Sequence, residues 1–87
     1  MNVPESVAAI EKLSKEMQDA ATKAQNASMR YEAHLQLYNV ACMAGDEKEI
    51  EAQRLAVISQ VENLLDGSFE LYSRRRMIHN IQRNVTD

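Results

Sequence analysis

Between Pro4 and Gly45 the chain contains neither glycine nor proline, and its one strong breaker pair is Gly45-Asp46, close to the middle. That punctuation limits the possible folds more than any other feature. Two Gly and one Pro in 87 residues leave too few turn residues for a set of short strands. The pattern predicts an all-α chain. Pro4 suits a first helical turn, with Asn2 or Val3 as the lead-in. Gly45 suits the left-handed residue that ends a helix. Asp46 then reads as an N-cap, Glu49 three residues on as the other half of a capping box, and Glu47 as favourable charge at the positive helix end. The expected arms are residues 5–43 and 47–84 around a turn at 44–46, each roughly 58 Å long. Arms of equal length joined by so short a turn describe one domain over residues 1–87, a long antiparallel helical hairpin. Asp66-Gly67-Ser68 offers an alternative, a second arm broken at Gly67 with Ser68 capping a third helix. A helical Gly costs only about 1 kcal/mol relative to Ala, and apolar spacing runs across the tripeptide, so the continuous or kinked arm is preferred.

The first arm carries apolar and small residues in alternating steps of four and three: Val3, Val7, Ile10, Ser14, Met17, Ala21, Ala24, Ser28, Tyr31, Leu35, Tyr38 and Cys42. This is a coiled-coil repeat. The second arm offers Ile50, Val57, Ile58, Val61, Leu64, Leu65, Phe69, Leu71, Tyr72, Ile78 and Ile81. A turn at 45 pairs residue i with about 90 − i, which sets Phe69 against Ala21, Asp66 near Ala24 and Ile81 near Ile10. A further stripe, Met29, Ala33, Leu37, Val40 and Ala44, lies off the first seam, and Leu55, Val57, Leu64 and Leu71 flank the second. Two helices bury one stripe each, so an apolar excess near the turn marks an interaction surface. The far half of arm one is polar outside its seam, with Glu11, Lys12, Lys15, Glu16, Gln18, Asp19 and Lys23. The expected interface is Met29, Ala33, Leu37, Val40, Leu55, Val57, Leu64 and Leu71. It would serve a protein partner or a second copy, two hairpins pairing into a four-helix bundle. A monomeric three-helix bundle is the competing arrangement.

Charge is uneven along the chain. Residues 1–40 carry a net charge of −1, residues 41–70 of −5 and residues 71–87 of +3. Arg74, Arg75 and Arg76, with His79 and Arg83, form the one basic cluster, and Arg can clamp phosphate through two hydrogen bonds. These arginines are the candidate anion or nucleic-acid contacts. Against that, cations near a helix C-terminus stabilise its dipole and can pair with Glu11 or Glu16 of the opposite arm. The pI of about 5.3 is far from that of a dedicated nucleic-acid binder, and no aromatic residue interrupts the run to stack bases. Nucleic acid is therefore the lesser of the expected partners.

No catalytic or metal-binding set is expected. His34 and Cys42 stand two turns apart with no further ligand, and zinc needs three or four. Cys42 alone reads as a small apolar seam residue. Tyr31, Tyr38 and Tyr72 read as core residues with wet hydroxyls, or as binding anchors. Met29 and Met43 near the excess stripe would suit adaptable binding. Two rods form no cleft to desolvate catalytic groups, and no phosphate loop or HExxH is present, so neither enzyme activity nor a cofactor is expected. No apolar run reaches the length of a membrane span, and the first residues lack a basic leader followed by an apolar stretch. With a single cysteine, a reducing, cytoplasmic setting is expected.

The stretch Gly45-Asp46-Glu47-Lys48-Glu49-Ile50-Glu51 with Arg54 resembles the hairpin turn of the small co-chaperones that hold needle subunits in type III secretion. The acidic turn is also similar to that of the dimeric four-helix-bundle regulators of plasmid copy number. Met43-Ala44-Gly45 stands where WXG-like hairpins place their turn, without the Trp, and Tyr72 is followed by Arg76 rather than by that family's acid. Small size and plain motifs also resemble phage-encoded inhibitors. These resemblances imply a bacterial or phage hairpin that grips another helix. The expected function is a non-enzymatic protein–protein interaction module: a small chaperone, assembly adaptor or inhibitor. The alternative is a small nucleic-acid-associated regulator using Arg74, Arg75, Arg76 and Arg83.

Overall fold

A computed structural model describes residues 2–85. Its two helices are α1, Val3–Ala44, and α2, Glu47–Arg83, packed antiparallel in a body 66 × 13 × 12 Å. The ends of α1 follow the local chemistry. Asn2 caps it by accepting the Glu5 amide at 2.9 Å, Pro4 occupies its first turn, and the Ser6 hydroxyl donates to the Asn2 carbonyl at 2.8 Å. Gly45 adopts φ 69°, where a side chain would be strained. Its amide donates to the Cys42 carbonyl, and the Asp46 amide donates to that of Ala41 at 3.1 Å. That is the Schellman arrangement, which satisfies the last carbonyls of α1 while reversing the chain.

Asp46 then caps α2, its carboxylate accepting the Glu49 amide at 3.2 Å. The reciprocal half of the expected capping box is not made. Glu49 turns along the helix and accepts from Gln53 Nε2 at 2.7 Å. At the other end the Asn84 side chain donates to the Asn80 carbonyl at 2.7 Å.

The hairpin is built on a seam that differs in part from the expected one. In α1 an inward ladder of buried and half-buried positions runs through Ser6, Ile10, Leu13, Met17, Ala20, Ala24, Ala27, Tyr31, His34, Tyr38 and Ala41. Their steps alternate four and three without interruption. Ile10, Met17, Ala24, Tyr31 and Tyr38 were expected there, and Ser14 and Leu35, also expected, are half-buried. Val7, Ala21, Ser28 and Cys42 were expected too, but they are exposed, and the residue preceding each lies inside. The inward face is thus turned by about half a residue step, ~50°. In α2 the matching ladder is Ile50, Gln53, Val57, Gln60, Leu64, Gly67, Leu71, Arg74, Ile78 and Ile81.

The cause is distance. Among the described residues the buried apolar ones are Ala20, Ala27 and Ala41, and no large side chain is fully buried. Alanines every seven residues let two helices approach closely, whereas Val7 and Leu35 in their place would hold the helices apart.

Gly67 is where the approach is tightest. α2 runs through it unbroken, so the alternative of a third helix beginning at Ser68 does not form. A Cβ added at Gly67 would stand 3.0 Å from the Ala24 amide nitrogen and 3.1 Å from the Ala20 carbonyl oxygen. The missing side chain is therefore filled by the backbone of the other helix. Phe69, expected to face Ala21, lies on the outside, as does Ala21.

Candidate interaction surface

Two helices side by side leave two broad faces, and they differ in chemistry. One face is polar at mid-length. Asp19, Lys23, Asn26 and Arg30 of α1 meet Gln60 and Asn63 of α2 around a shallow depression of about 390 Å³. Lys23 and Glu70 bridge this face at 3.6 Å, with both side chains largely exposed. Such a pair contributes little, on the order of 0–1 kcal/mol.

The opposite face is apolar. Leu35 and Tyr38 of α1 with Arg54, Val57 and Ile58 of α2 line a small notch of about 120 Å³. From there Leu55, Ile58, Val61, Leu65, Phe69 and Tyr72 follow one another along α2 in steps of three and four, all exposed to 37–71%. That spacing keeps them on one side of the helix. Leu65 at 64% and Phe69 at 71% stand almost clear of the hairpin. Beside them α1 presents Ala21 and Ser28, which are small and leave the stripe accessible. At the turn end Glu51 holds Arg54 through two hydrogen bonds of 2.7 and 2.9 Å. This pairing draws the Glu51 carboxyl below its usual range and lifts the Arg54 guanidinium above its own. Tyr38 and Cys42 also lie here. A hydrogen bond between phenol and thiol, reinforced by their charge interaction, holds Tyr38 above the ordinary range of a phenol. The thiol itself is exposed rather than seated in the seam.

The residues expected to form the interface divide three ways. Met29, Ala33, Leu37, Val40 and Leu55 are exposed. Val57, Leu64 and Leu71 belong to the hairpin's own seam. Of the exposed group, Leu37 repeats the phase of Lys23 and Arg30, and Ala33 and Val40 repeat that of Asn26, so they edge the polar face. Leu55 sits with Phe69 on the outer edge of α2, toward the apolar face. The members missed as surface residues are Ile58, Val61, Leu65, Phe69 and Tyr72, which sequence reasoning assigned to the inner side of the second arm. Their signal is a second seven-residue ladder, Ile58, Leu65 and Tyr72, one residue behind the inner ladder Ile50, Val57, Leu64, Leu71 and Ile78.

The basic cluster also divides. Arg74 points into the seam and donates to Glu16 Oε2 at 2.7 Å, the cross-arm pairing foreseen for the cluster. Arg75, Arg76 and Arg83 have no acidic partner among the described residues. Tyr72, Arg75, Arg76 and His79 surround an open hollow of about 330 Å³, in line with the apolar stripe. Arg83 makes only a long 3.4 Å bond to Asn80.

Among the described residues no three His, Cys, Asp or Glu side chains gather to hold a metal, and no helix is long and apolar enough to cross a membrane. Comparison of the chain with protein-family models, with curated proteins and with solved structures finds no significant match.

Proposed function

We propose that this hairpin is a non-enzymatic protein–protein interaction module, a small chaperone, assembly adaptor or inhibitor that presents an apolar helical face to a partner or to another copy of itself. One observation carries this reading. The six-residue stripe from Leu55 to Tyr72 is exposed, while the hairpin's own buried apolar residues are three alanines. The larger apolar side chains of α2 divide between a half-buried seam and an outer stripe. A stripe of that kind raises free energy in water unless something covers it.

The test is site-specific photo-crosslinking in cells that make the protein. A photoreactive residue at Leu65 should give protein adducts, one at Asn26 on the polar face should not, and Ile58→Glu should remove the Leu65 adducts. Equal labelling from both faces would refute the reading. A second reading, a nucleic-acid-associated regulator, is favoured by Arg75, Arg76, His79 and Arg83 standing together without acidic partners. It requires salt-sensitive binding to RNA or DNA that an Arg75→Ala/Arg76→Ala/Arg83→Ala variant loses.

A further inference from the structure

We infer that the apolar stripe is covered by the same stripe of a second copy, α2 against α2, running antiparallel about a two-fold axis near residues 63 and 64. This rests on the interaction-module reading and specifies its partner. The argument begins with charge along the stripe. At the turn end it is bounded by Glu47 and by Glu51, which also holds Arg54, and at the other end by Arg75, Arg76 and His79, with Glu62 near its middle. The stripe runs from Leu55 to Tyr72, so its midpoint falls at 63–64, close to the middle of α2 itself.

A two-fold axis there brings Leu55 to Tyr72 of the second copy and Ile58 to its Phe69. It carries Glu51 to the second copy's Arg76, and Glu47 to within a helical turn of its His79. The acids of the turn end thus meet basic residues of the second copy, with Glu51 placed between Arg54 and that copy's Arg76. A parallel pairing would instead set arginines against arginines. An unrelated helix would have to reproduce both charged ends in reverse order, which a second copy does by symmetry.

Area points the same way. Six side chains at 37–71% exposure amount to roughly 500–650 Å² if each offers about 150–200 Å² when free. Two copies would cover about twice that, at the lower edge of the standard range for stable protein interfaces. Because the patch pairs with itself, the contact closes at two chains and does not propagate. The patch formed by Met29, Leu37 and Val40 lies toward the other face and stays outside it.

The experiment is sedimentation equilibrium of the full chain at low and high salt, with circular dichroism confirming helix content. The expected result is a dimer at micromolar concentration that weakens with salt. Leu65→Glu, at a position outside the hairpin seam, should weaken it by about a hundredfold or more, since it sets a carboxylate against apolar side chains. Arg76→Glu should weaken it roughly three- to tenfold at low salt, and adding Glu51→Arg should recover part of that loss, because the new arginine also stands beside Arg54. Should Leu65→Glu also lose helix, a milder pair decides. In a Cys42→Ser background, Glu62→Cys lies close to the axis and should cross-link chain to chain, whereas Asn26→Cys should not. A strict monomer at low salt overturns the inference, as does a dimer that ignores Leu65→Glu or one that cross-links through position 26. A monomer whose position 65 still cross-links to a different protein removes the second copy and leaves the interaction module standing. A monomer that gives no adducts, or one that binds only anionic vesicles or RNA, removes both.

Discussion

Replacing Gly67 with alanine sets two effects of opposite sign against each other. In an exposed helix interior the change stabilises by about 1 kcal/mol, because alanine has the better propensity and constrains the unfolded chain more. At Gly67 the added methyl would meet the Ala24 amide nitrogen at 3.0 Å, and the Ala20 carbonyl oxygen and Ala24 Cβ at 3.1 Å. Ordinary contact lies several tenths of an ångström further out. Two of the three neighbours are backbone, which yields only if the helices separate. Overpacking of this kind costs about 1–3 kcal/mol, so the expected net effect is a loss of about 0–2 kcal/mol. Gly67→Val adds two further groups and a β-branch and should lose about 3 kcal/mol or more. Ser68→Ala, on the outer surface one residue away, isolates propensity and should gain a few tenths of a kcal/mol. Urea unfolding followed at 222 nm gives all three, with an unchanged denaturant slope as the condition for comparing them. If Gly67→Ala stabilises the protein by about 1 kcal/mol, as at an exposed helical site, the close approach of α1 and α2 at that point is wrong, and the seam built on Ala20, Ala24 and Ala27 falls with it.

Gln60 Oε1 is buried with no hydrogen-bond partner, so Gln60→Leu should stabilise by about 1 kcal/mol in thermal unfolding; a loss of similar size would mean that water or a partner satisfies that oxygen. Glu16→Gln should cost no more than about 1 kcal/mol, because the Arg74 pair is about a third exposed, and the cost should shrink as salt is added. Tyr38 binds its proton more tightly in the folded state, so its contribution to stability is complete below the ordinary phenol range and is lost as pH rises through the raised value. In a Tyr31→Phe/Tyr72→Phe background, ultraviolet titration should show Tyr38 ionising above the ordinary phenol range, and Cys42→Ala should lower it. Glu51 has the opposite sign. Its contribution is present above the ordinary carboxylate range and fades as pH falls through the lowered value, and Arg54→Ala should return the carboxyl toward normal in a carbon-detected NMR titration.

Both ends of α1 and the start of α2 were readable because each depends on only a few residues: Asn2 and Pro4, and the Gly45-Asp46 pair. Arms expected over 5–43 and 47–84 form over Val3–Ala44 and Glu47–Arg83. The turn also fixed the register well, since 90 − i sets Gly67 opposite residue 23 and the structure seats it between Ala20 and Ala24. What could not be read was the rotation of each helix about its axis. Each arm holds two seven-residue ladders one residue apart: Val7, Leu35 and Cys42 beside Ala20, Ala27 and Ala41 in α1, and Ile58, Leu65 and Tyr72 beside Val57, Leu64 and Leu71 in α2. Periodicity alone supports either member of each pair. Ranking by hydrophobic bulk selects Val7 and Leu35 in α1, and it is the wrong criterion for a two-helix contact. There the separation of the axes is set by the smallest residues, and Gly67 can be buried only where the facing helix is lined with alanine.

That geometry bears on why the outer stripe belongs to α2 and not to α1. With α1 supplying alanines at the closest approach, the seam stays narrow and has room for only one apolar ladder from α2. Along the second ladder of the α2 seam, Gly67 fits the closest approach, and Gln53, Gln60 and Arg74 stand where a self-sufficient hairpin would carry apolar residues. His34 and Gln53 meet at 2.8 Å, and Arg74 and Glu16 at 2.7 Å, so these positions specify alignment more than they add apolar burial. Ile58, Leu65 and Tyr72 lie instead on the outer side, one residue after the inner ladder Val57, Leu64 and Leu71. A chain selected for stability as a lone hairpin would gain by carrying apolar residues at Gln53, Gln60 and Arg74 and polar ones in place of the outer apolar ladder. Its retention on the outside fits a hairpin in which the inner contact fixes the shape and the outer ladder supplies the binding energy.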